Sequence, residues 1–464
     1  MPASISGPGE DTVDATTDAY VFGYPLVLMN LTRLAQTNTV KATDDVLAPV
    51  NQFCHHTELP DPSEKAVVRP NLDTLYSVAW LDLTAEPMVL SVPVMENQPD
   101  NSRYWLMQLM DYWTNTVQDP SSILPGTDPR TDGNGDQNYT YVLTGPGWQG
   151  TVPDGTTQLT FPTNTVWLAG RTEIRDNSQE ELDTVNGYQH RMSLLPLSVW
   201  PDPDHTYVPP DGTYDPNLSA DPPSDQIAEM DGTTFFTTLK TLLATTPLNP
   251  DDPDMTDLLD SIGLLPGSTQ RLPDAATLQQ AVEAGQQRIT SHGGAQTVNG
   301  WSLATTGVGT YGTDYDQRAY IALTALGANL PQDAIYPSTA PQDPAPGTRY
   351  TLTFAQGQTP PVGAFWSLTA YDNDGFLITN DEGVYSIGHR TPTPVPDPVT
   401  GDTTLYIQYE PPGDTVDPAN WLPIDNTGDF NLMLRLYAPQ IDQIDPPGTW
   451  TPPILTKVAD TPIA

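Results

Sequence analysis

Residues 68–81 read VRPNLDTLYSVAWL, and this stretch decides the fold class that the sequence predicts. Its second half, 75–81, is a short run of apolar and aromatic residues. Similar runs follow at 88–94, 104–110, 139–143 and 165–169, with turn-forming Pro, Gly and Asp residues between them. Short strands bounded by turn signals are typical of β-sandwiches and jelly rolls. We therefore expect a first jelly-roll-like β domain over residues 47–200.

The same strand pattern returns in the last third of the chain. Short apolar runs lie at 348–354, 364–371, 375–379, 403–409 and 431–437. They predict a second jelly-roll-like β domain over residues 331–438, followed by a Pro-rich tail at 439–464.

Helical patterns occupy the start and the middle of the chain. Residues 1–46 are predicted as an N-terminal helical segment whose apolar face is broken at Gly23 and Pro25. Residues 201–223 form a Pro/Asp-rich linker, and 224–330 a helical region in which Asp274 is a plausible N-cap. The predicted fold class is thus mainly β with a helical insert: two antiparallel β-sandwich domains plus an α-helical lid region.

The charge of the chain excludes several classes of partner. The 464 residues include 17 Lys and Arg against 58 Asp and Glu, a formal net charge of −41. Such an acidic surface repels nucleic acid and anionic membranes. No apolar run approaches the length of about 20 residues that a membrane span needs. We expect no nucleic-acid binding and no membrane insertion.

The composition also bears on the compartment. The acid excess is mostly Asp, and Lys occurs only four times, which fits a secreted, cell-surface or periplasmic protein. The residues at the start of this chain have neither the basic nor the apolar region of a signal peptide. A cytoplasmic location therefore stays open.

Familiar catalytic templates are absent from the sequence. It contains no G-x-S-x-G, H-E-x-x-H or P-loop motif and no G-x-G-x-x-G after a predicted strand. Cys54 is the single cysteine, so the chain has no internal disulfide and no cysteine-based metal site. Whether the protein is an enzyme therefore has to be argued from other residues.

Polar side chains occur at a few positions within the apolar and aromatic strands predicted for the first β domain. The ligand-binding candidates are Arg69, Asn71, Asp73, Tyr76, Arg103, Gln108, Asp111, Trp113 and Arg171. Arg and Asp in apolar surroundings must pair with each other or meet an anionic or hydroxyl-rich ligand. Two interpretations stay open: a buried Arg–Asp network that ties the strands to the helical part, and a binding or catalytic pocket.

A catalytic pocket would divide these residues into two roles. A carboxylate, Asp73 or Asp111, would be the general base. Arg69 or Arg103 would hold an anionic or carbonyl oxygen of the substrate.

One loop has the spacing of a hard-cation site. Asp132, Asn134 and Asp136 place oxygen-bearing side chains at alternate positions, as calcium loops do. The acidic twelfth ligand of an EF-hand is missing, and Asp, Asn and Gly also build ordinary turns. Bound Ca²⁺ and a simple turn are the two alternatives.

The sequence resembles bacterial and fungal proteins that pair a domain of unknown function 1254 with a domain of unknown function 1214. The N-terminal resemblance lies in YVFGYP at 20–25, RPNLDTLYS at 69–77, GPGWQG at 145–150 and VWLAGRT at 166–172. The C-terminal resemblance lies in GAFWSLTAYD at 363–372, NWLP at 420–423 and RLYAP at 435–439. It implies two jelly-roll-like domains, a helical lid and homo-oligomers, of which a trimer is one form, but it implies no particular reaction.

Three functions follow as hypotheses. The first is an extracytoplasmic oligomer that binds a carbohydrate or similar polar ligand and is stabilised by calcium. This hypothesis is based on a composition rich in amides and aromatic residues. Trp366, Tyr371 and Trp421 would lie either in the core or stacked on sugars. The second is an enzyme that uses the Arg/Asp pocket. The third is a structural surface or fibre subunit whose tail reaches across subunits.

Overall fold

The computed structural model describes residues 10–43, 47–65, 68–95, 102–133, 135–202, 206–250, 252–293, 295–342, 348–426, 428–444 and 448–458. Within these ranges the chain forms four mainly antiparallel sheets and eight α-helices. The sheets pair into two sandwiches, and the helices lie beside them.

The first sandwich lies between residues 54 and 196. Its strands are β1 (Cys54–His55), β2 (Thr74–Asp82), β3 (Met88–Pro93), β4 (Trp105–Asp111), β5 (Thr116–Gln118), β6 (Arg130–Thr131), β7 (Gln137–Thr144), β8 (Thr157–Thr160), β9 (Thr165–Glu173) and β10 (Ser193–Pro196). Sheet 1 has the order β1-β2-β9-β4-β5, and sheet 2 the order β10-β3-β7-β6, with β8 parallel to β7. Leu90, Met107 and Leu168 lie in the core between the two sheets.

The other face of sheet 1 carries the residues that alternate with that core. Trp80 and Trp167 stack there with ring centroids 5.2 Å apart, and both contact the helices. Tyr76 lies opposite Arg171 further along the same two strands. Successive side chains of a strand point to opposite faces, so this outer face combines an aromatic half and a polar half.

The helices beside sheet 1 are α1 (Glu10–Thr37), α3 (Pro223–Ala228), α4 (Gly232–Leu243), α5 (Pro253–Ser261), α6 (Ala275–Ser291) and α7 (Tyr315–Ala325), while α2 (Gln179–Gln189) belongs to the first sandwich. The N-terminal helix and the middle helices share one apolar core. Tyr20 of α1 is completely buried in this core, with its ring centroid 4.3 Å from that of Phe235.

Two glycines allow these helices to approach closely. A Cβ at Gly285 of α6 would lie 2.2 Å from Cδ1 of Tyr20, and one at Gly23 would lie 2.4 Å from Cδ2 of Leu239. Gly23 is therefore a packing site rather than a break, and α1 continues through both Gly23 and Pro25. The predicted break in the apolar face at Gly23 is the place where Leu239 packs against the helix.

The second sandwich contains β11 (Gln296–Val298), β12 (Trp301–Leu303), β13 (Ala334–Ile335), β14 (Ser338–Thr339), β15 (Arg349–Phe354), β16 (Trp366–Asp372), β17 (Ser386–Gly388), β18 (Thr403–Gln408), β19 (Trp421–Pro423), β20 (Phe430–Tyr437) and β21 (Thr456–Val458), with a 3-10 turn at Pro418–Asn420 and the short helix α8 (Ile441–Ile444). Sheet 3 has the order β11-β12-β14-β20-β16-β17, with β13 also paired to β20, and sheet 4 the order β19-β18-β15-β21. Leu368, Leu405 and Leu434 lie in its core.

Residues 375–379 differ from their prediction, and the structure adds detail for two further segments. Residues 375–379 form no strand, because Gly375 has φ +89° in a turn that the Asp372 carboxylate closes by accepting from the N–H groups of Asp374 and Phe376. The described part of the predicted linker has no strand or helix before α3, and it hydrogen-bonds to residues 38–52. The described part of the Pro-rich tail contributes β21 to the sandwich of its own chain.

Within the described residues, no helix has both the length and the apolar character that a membrane span requires.

Gly285→Ala is expected to lower the free energy of unfolding by about 1–3 kcal/mol, because the added methyl group displaces a fully packed tyrosine ring. The matched control is Gly187→Ala in α2, where a Cβ meets nothing within 4 Å. The control is expected to raise stability by about 0.5–1 kcal/mol through helix propensity. Urea unfolding curves of the two variants measure both effects, and equal stabilities would contradict the packing argument.

Candidate functional site

The outer face of sheet 1 meets the outer face of sheet 3, and polar side chains fill the contact. On the sheet 3 side, Ser367, Thr369 and Tyr371 alternate with core residues of β16, as Arg435 and Tyr437 do on β20. On the sheet 1 side lie Tyr76 and Arg171, together with the segment 69–73 that precedes β2. We call this contact the interdomain cluster.

The segment 69–73 is held by the second sandwich. Nη2 of Arg435 donates to the carbonyl oxygens of Arg69 (3.0 Å) and Pro70 (3.2 Å), and the Tyr371 hydroxyl donates to Pro70 (2.7 Å). Oδ2 of Asp73 accepts from the hydroxyls of Ser367 (2.5 Å) and Tyr437 (3.4 Å). These bonds orient the segment and fix it between the two sandwiches.

A second chain of hydrogen bonds runs through Arg171. Its Nη1 donates to Oε1 of Gln108 (2.9 Å), which also accepts from Nδ2 of Asn329 (2.9 Å). Oδ1 of Asn329 in turn accepts from the Tyr336 hydroxyl (2.7 Å). Nε of Arg171 donates to the Tyr76 hydroxyl (3.3 Å). The chain therefore connects both sandwiches and the loop that follows α7.

The two central guanidinium groups are buried without a carboxylate partner. Arg171 is 7% exposed and Arg435 is 3% exposed. Their hydrogen-bond acceptors are hydroxyl, amide and peptide oxygens, and within the described residues neither forms an ion pair. A buried charge normally has a counter-ion. The Asp73 carboxylate acts on Arg435 through its charge without reaching either guanidinium at ion-pair distance, so the two guanidiniums outnumber the one carboxylate of the cluster and leave room for an anion.

A cavity of about 410 Å³ adjoins the cluster between the two sandwiches. Its wall contains mostly amides, hydroxyls and apolar side chains, which are Thr57, Glu58, Leu59, Pro60, Leu72, Asn177, Gln179, Leu182, Asn186, Gly383, Tyr385, Ser386 and Arg390. Ser386 of the wall accepts from Thr369 (3.2 Å), and Thr369 accepts from Arg435 (3.1 Å). The cavity wall is therefore two hydrogen bonds away from a central guanidinium.

Unsatisfied polar atoms also collect beside this cavity. Nε and Nη2 of Arg390, Nδ1 of His389 and Oδ1 of Asp73 are buried and make no hydrogen bond with the described residues. Burial lowers the pKa of Arg390, while the nearby Asp73 acts to raise it. A bound water or a polar ligand in this region would supply hydrogen-bond partners for these donors and this acceptor.

Arg103 lies outside the cluster, in a closed ion pair. Its guanidinium donates to both oxygens of Glu181 on α2 (2.5 and 3.1 Å) and to the carbonyl oxygen of Glu173 (2.7 Å). Arg103 is 2% exposed. The pair joins α2 to the end of sheet 1 at which β4 begins and β9 ends.

Asp111 lies at the far end of β4 from Arg103, roughly 25 Å away at strand spacing. Its carboxylate accepts from the backbone N–H groups of Trp113 and Asn115 and from the Asn115 side chain. Burial raises the pKa of Asp111 to about 6, although these hydrogen bonds act to lower it. Arg318 lies near it among Phe22, Trp113 and Tyr315.

A carboxyl pair lies where the loop after β5 meets the loop before β13. Asp333 is buried, and burial followed by the charge of Asp119 raises its pKa to about 8. Asp119 accepts from the Gln332 side chain (3.1 Å). The two carboxyl groups therefore face each other where the first sandwich meets the start of the second.

The loop considered for calcium is a turn between β6 and β7. Asp132 accepts from the backbone N–H of Asp136 (3.0 Å) and from the Asn138 side chain (3.2 Å), whereas Asn134 lies outside the described residues. Across the described ranges, no group of three or more His, Cys, Asp or Glu side chains is arranged to hold a metal ion. Calcium binding stays a prediction.

The structure divides the candidate residues into separate places. Asn71, Asp73, Tyr76, Gln108 and Arg171 meet in the interdomain cluster, where Arg69 contributes its carbonyl oxygen while its side chain is exposed. Arg103 lies at one end of β4, and Asp111 with Trp113 at the other. The candidate residues therefore do not form a single site, although many of them are close together in the sequence.

Several members of the cluster were absent from the candidates for the Arg/Asp site, although Tyr371 was named as a residue of the core or of a sugar-stacking surface. These are Asn329, Tyr336, Ser367, Thr369, Tyr371, Arg390, Arg435 and Tyr437. Period-two alternation in 366–372 and 430–437 places Thr369, Arg435 and their neighbours on one face, which is the signal that could have found them.

Comparisons with known proteins agree with the two-part organisation. The family model of the protein of unknown function DUF1254 matches residues 50–196, and that of DUF1214 matches residues 336–441. The crystal structure of the VPA0106 protein from Vibrio parahaemolyticus is similar, with 24% identity and a TM-score of 0.66 over 97% of this chain and all of the other. That likeness shows the fold.

A second solved structure is an uncharacterized protein from Burkholderia cenocepacia, with 11% identity and a TM-score of 0.43 over 97% of this chain and 94% of the other. A search of curated proteins gave no match.

Arg103→Met is expected to lower the free energy of unfolding by about 3–5 kcal/mol, because it leaves Glu181 buried without its partner. The double variant Arg103→Met with Glu181→Leu removes both charges and is expected to recover most of that loss. Denaturant unfolding of the two variants and the wild type measures the recovery. A double variant as unstable as Arg103→Met would contradict the ion-pair interpretation.

The Asp333 carboxyl predicts a pH dependence. Its folded pKa of about 8 exceeds the ordinary aspartate value, so its stabilising contribution is complete below about pH 4 and is lost as the pH rises through 8. Relative to Asp333→Asn, whose side chain cannot ionise, the wild type should lose about 1 kcal/mol per pH unit between pH 5 and 8. Parallel stability curves for the two proteins would contradict this assignment.

Proposed function

Because the chain joins a DUF1254 domain at 50–196 to a DUF1214 domain at 336–441, we propose a function at the contact between the two parts: binding of a small anionic ligand with a hydroxyl-rich frame, such as a sugar acid. The observation that carries this proposal is the pair of buried guanidiniums, Arg171 and Arg435, with no carboxylate partner among the described residues. A ligand carboxylate would pair with them directly, whereas Asp73 acts on Arg435 only through its charge.

The cavity supports the size and polarity of this ligand. About 410 Å³ falls within the range of roughly 300–1,000 Å³ that is typical of small-molecule sites. Its amide and hydroxyl groups suit ligand hydroxyls, while Leu59, Leu72 and Leu182 suit C–H faces. The free N–H groups of Arg390 add donors at the same wall.

The charge of the whole chain adds a condition on the ligand. A net charge of −41 repels anions at long range, and salt screens this repulsion beyond about 8–10 Å at 0.1–0.15 M ionic strength. The attraction of the arginines for an anion exceeds this repulsion only inside the contact between the two sandwiches. Binding is therefore expected to strengthen with moderate salt, which is the opposite of a basic binding surface.

The alternatives receive less support from the geometry. The enzyme hypothesis with Asp111 as base loses its site, since Asn115 and a backbone N–H close that carboxylate and Arg103 pairs with Glu181. The fibre hypothesis relied on a tail that reaches across subunits, whereas residues 456–458 pair with β15 of their own chain.

We also propose the finer features that the sequence predicts. They are a jelly-roll-like topology for each sandwich, a lid role for the helices, self-association, an extracytoplasmic location and a calcium-stabilised loop. The support for the location is the Asp-rich and Lys-poor composition.

Arg171→Met tests the proposal. Without ligand this variant is expected to be as stable as the wild type or more so, because it removes an unpaired buried charge while Gln108 and Tyr76 keep other donors, Asn329 and Asn71. Thermal shift at constant ionic strength then compares potassium glucuronate and gluconate with glucose. The wild type should show a melting-temperature rise that grows with the anion concentration, and the variant should show none.

The comparison with Arg103→Met makes the outcome specific. That variant should lose stability but keep the ligand-induced shift. The proposal fails if no anion shifts the wild type, or if Arg171→Met destabilises the chain as strongly as Arg103→Met does.

A further inference from the structure

We propose that Tyr76 is a general base in the interdomain cluster and takes a proton from the carbon next to the ligand's carboxylate. This inference rests on the proposed function, since it requires that an anionic ligand binds there. It extends that function from binding to a reaction class: enolisation of a carboxylate, the step that begins epimerisation and β-elimination.

The Tyr76 oxygen accepts two hydrogen bonds, an arrangement that favours its ionised form. Nε of Arg171 (3.3 Å) and Nδ2 of Asn71 (3.1 Å) both donate to this oxygen. Within the described part of the chain, the hydroxyl proton itself has no acceptor. An oxygen that accepts two hydrogen bonds, one from a cation, is stabilised in its charged form.

The charges around the ring act in the same direction. The Arg171 guanidinium lies over the Tyr76 ring, 5.2 Å from its centroid. Burial acts to raise the pKa of Tyr76, but the charge of Arg171, the hydrogen bonds from Arg171 and Asn71, and the charge of Arg435 together lower it below the ordinary tyrosine value. Nearby Tyr437 and Tyr104 behave differently, because burial raises the pKa of both.

As a whole residue, Tyr76 is less completely buried than the charged groups around it. Tyr76 and Tyr336 are half-buried, whereas Asp73, Arg171 and Arg435 are buried. A ligand carboxylate that pairs with the guanidiniums would therefore lie next to an oxygen that accepts protons.

The proposed step balances without a further reactant. The Tyr76 phenolate forms an O–H bond with the proton of the C–H group next to the carboxylate. The electron pair of that C–H bond moves into the carboxylate and gives an enediolate, whose added charge Arg171 and Arg435 stabilise. The neutral phenol then returns the proton to the carbon, and the phenolate is restored.

The first experiment measures the ionisation of Tyr76 without any ligand. The tyrosinate absorbance near 295 nm is titrated for the wild type, Tyr76→Phe and the matched control Tyr141→Phe, whose hydroxyl donates to a carbonyl in the first sandwich. The wild type and the control should share one tyrosine that ionises below the ordinary value of about 10, and Tyr76→Phe should lack it. The isosteric variant Asn71→Asp should move that ionisation to higher pH.

The second experiment measures proton abstraction. Potassium gluconate and glucuronate are incubated with each protein in D₂O, and NMR follows the loss of the C–H signal next to the carboxylate. The wild type and Tyr141→Phe should exchange this proton at least about 100-fold faster than Tyr76→Phe. The rate should rise with pH through the ionisation found by absorbance.

The two failures are distinguishable. If the anions shift the melting temperature of the wild type but Tyr76 ionises no lower than an ordinary tyrosine, or the C–H proton does not exchange, Tyr76 is not a base and the binding function stands. If no anion binds, both proposals are overturned.

Discussion

The fold depends on burying charged side chains between two sheets. The outer faces of sheet 1 and sheet 3 carry Arg171 and Arg435, and each face becomes interior only when the two sandwiches meet. Desolvation of a guanidinium costs several kcal/mol unless its N–H groups are satisfied. The contact therefore needs the carbonyl oxygens of residues 69 and 70 and the amides of Gln108 and Asn329 in register. Polar complementarity, rather than apolar area alone, determines how the sandwiches dock.

This constraint explains where an acidic chain places its scarce bases. Of 17 basic side chains, five arginines are buried in the described residues: Arg103, Arg171, Arg318, Arg390 and Arg435. Only Arg103 among them has a carboxylate partner within ion-pair distance. Arg318 lies among three aromatic rings, and the other three lie at the contact or its cavity. The buried arginines without an ion-pair partner lie inside a chain of strongly negative net charge, so a ligand anion has to pass a repulsive surface to reach them.

The sequence predicted the strands well because short apolar runs bounded by turn residues are a local signal. The core strands at 74–82 and 430–437 lie where the pattern placed them. Helix α2 was missed because its sequence, QEELDTVNGYQ, has few apolar residues, and its anchor Glu181 is polar. The site was only partly predictable, because Asn71 and Tyr437 are 366 positions apart and meet only through the docking of two sandwiches. No local pattern encodes that docking.

Strand β21 has a consequence for association between chains. It pairs with one side of β15, whose other side pairs with β18, so the last described residues occupy the border of sheet 4. An uncovered border strand offers a row of free N–H and C=O groups to any passing chain, which is the route to amyloid-like stacking. Lys457 on β21 places a positive charge there, and cationic side chains discourage such stacking. The last described strand is short and exposed and carries a cation, and these features disfavour cross-β growth, apart from any contribution to ligand binding.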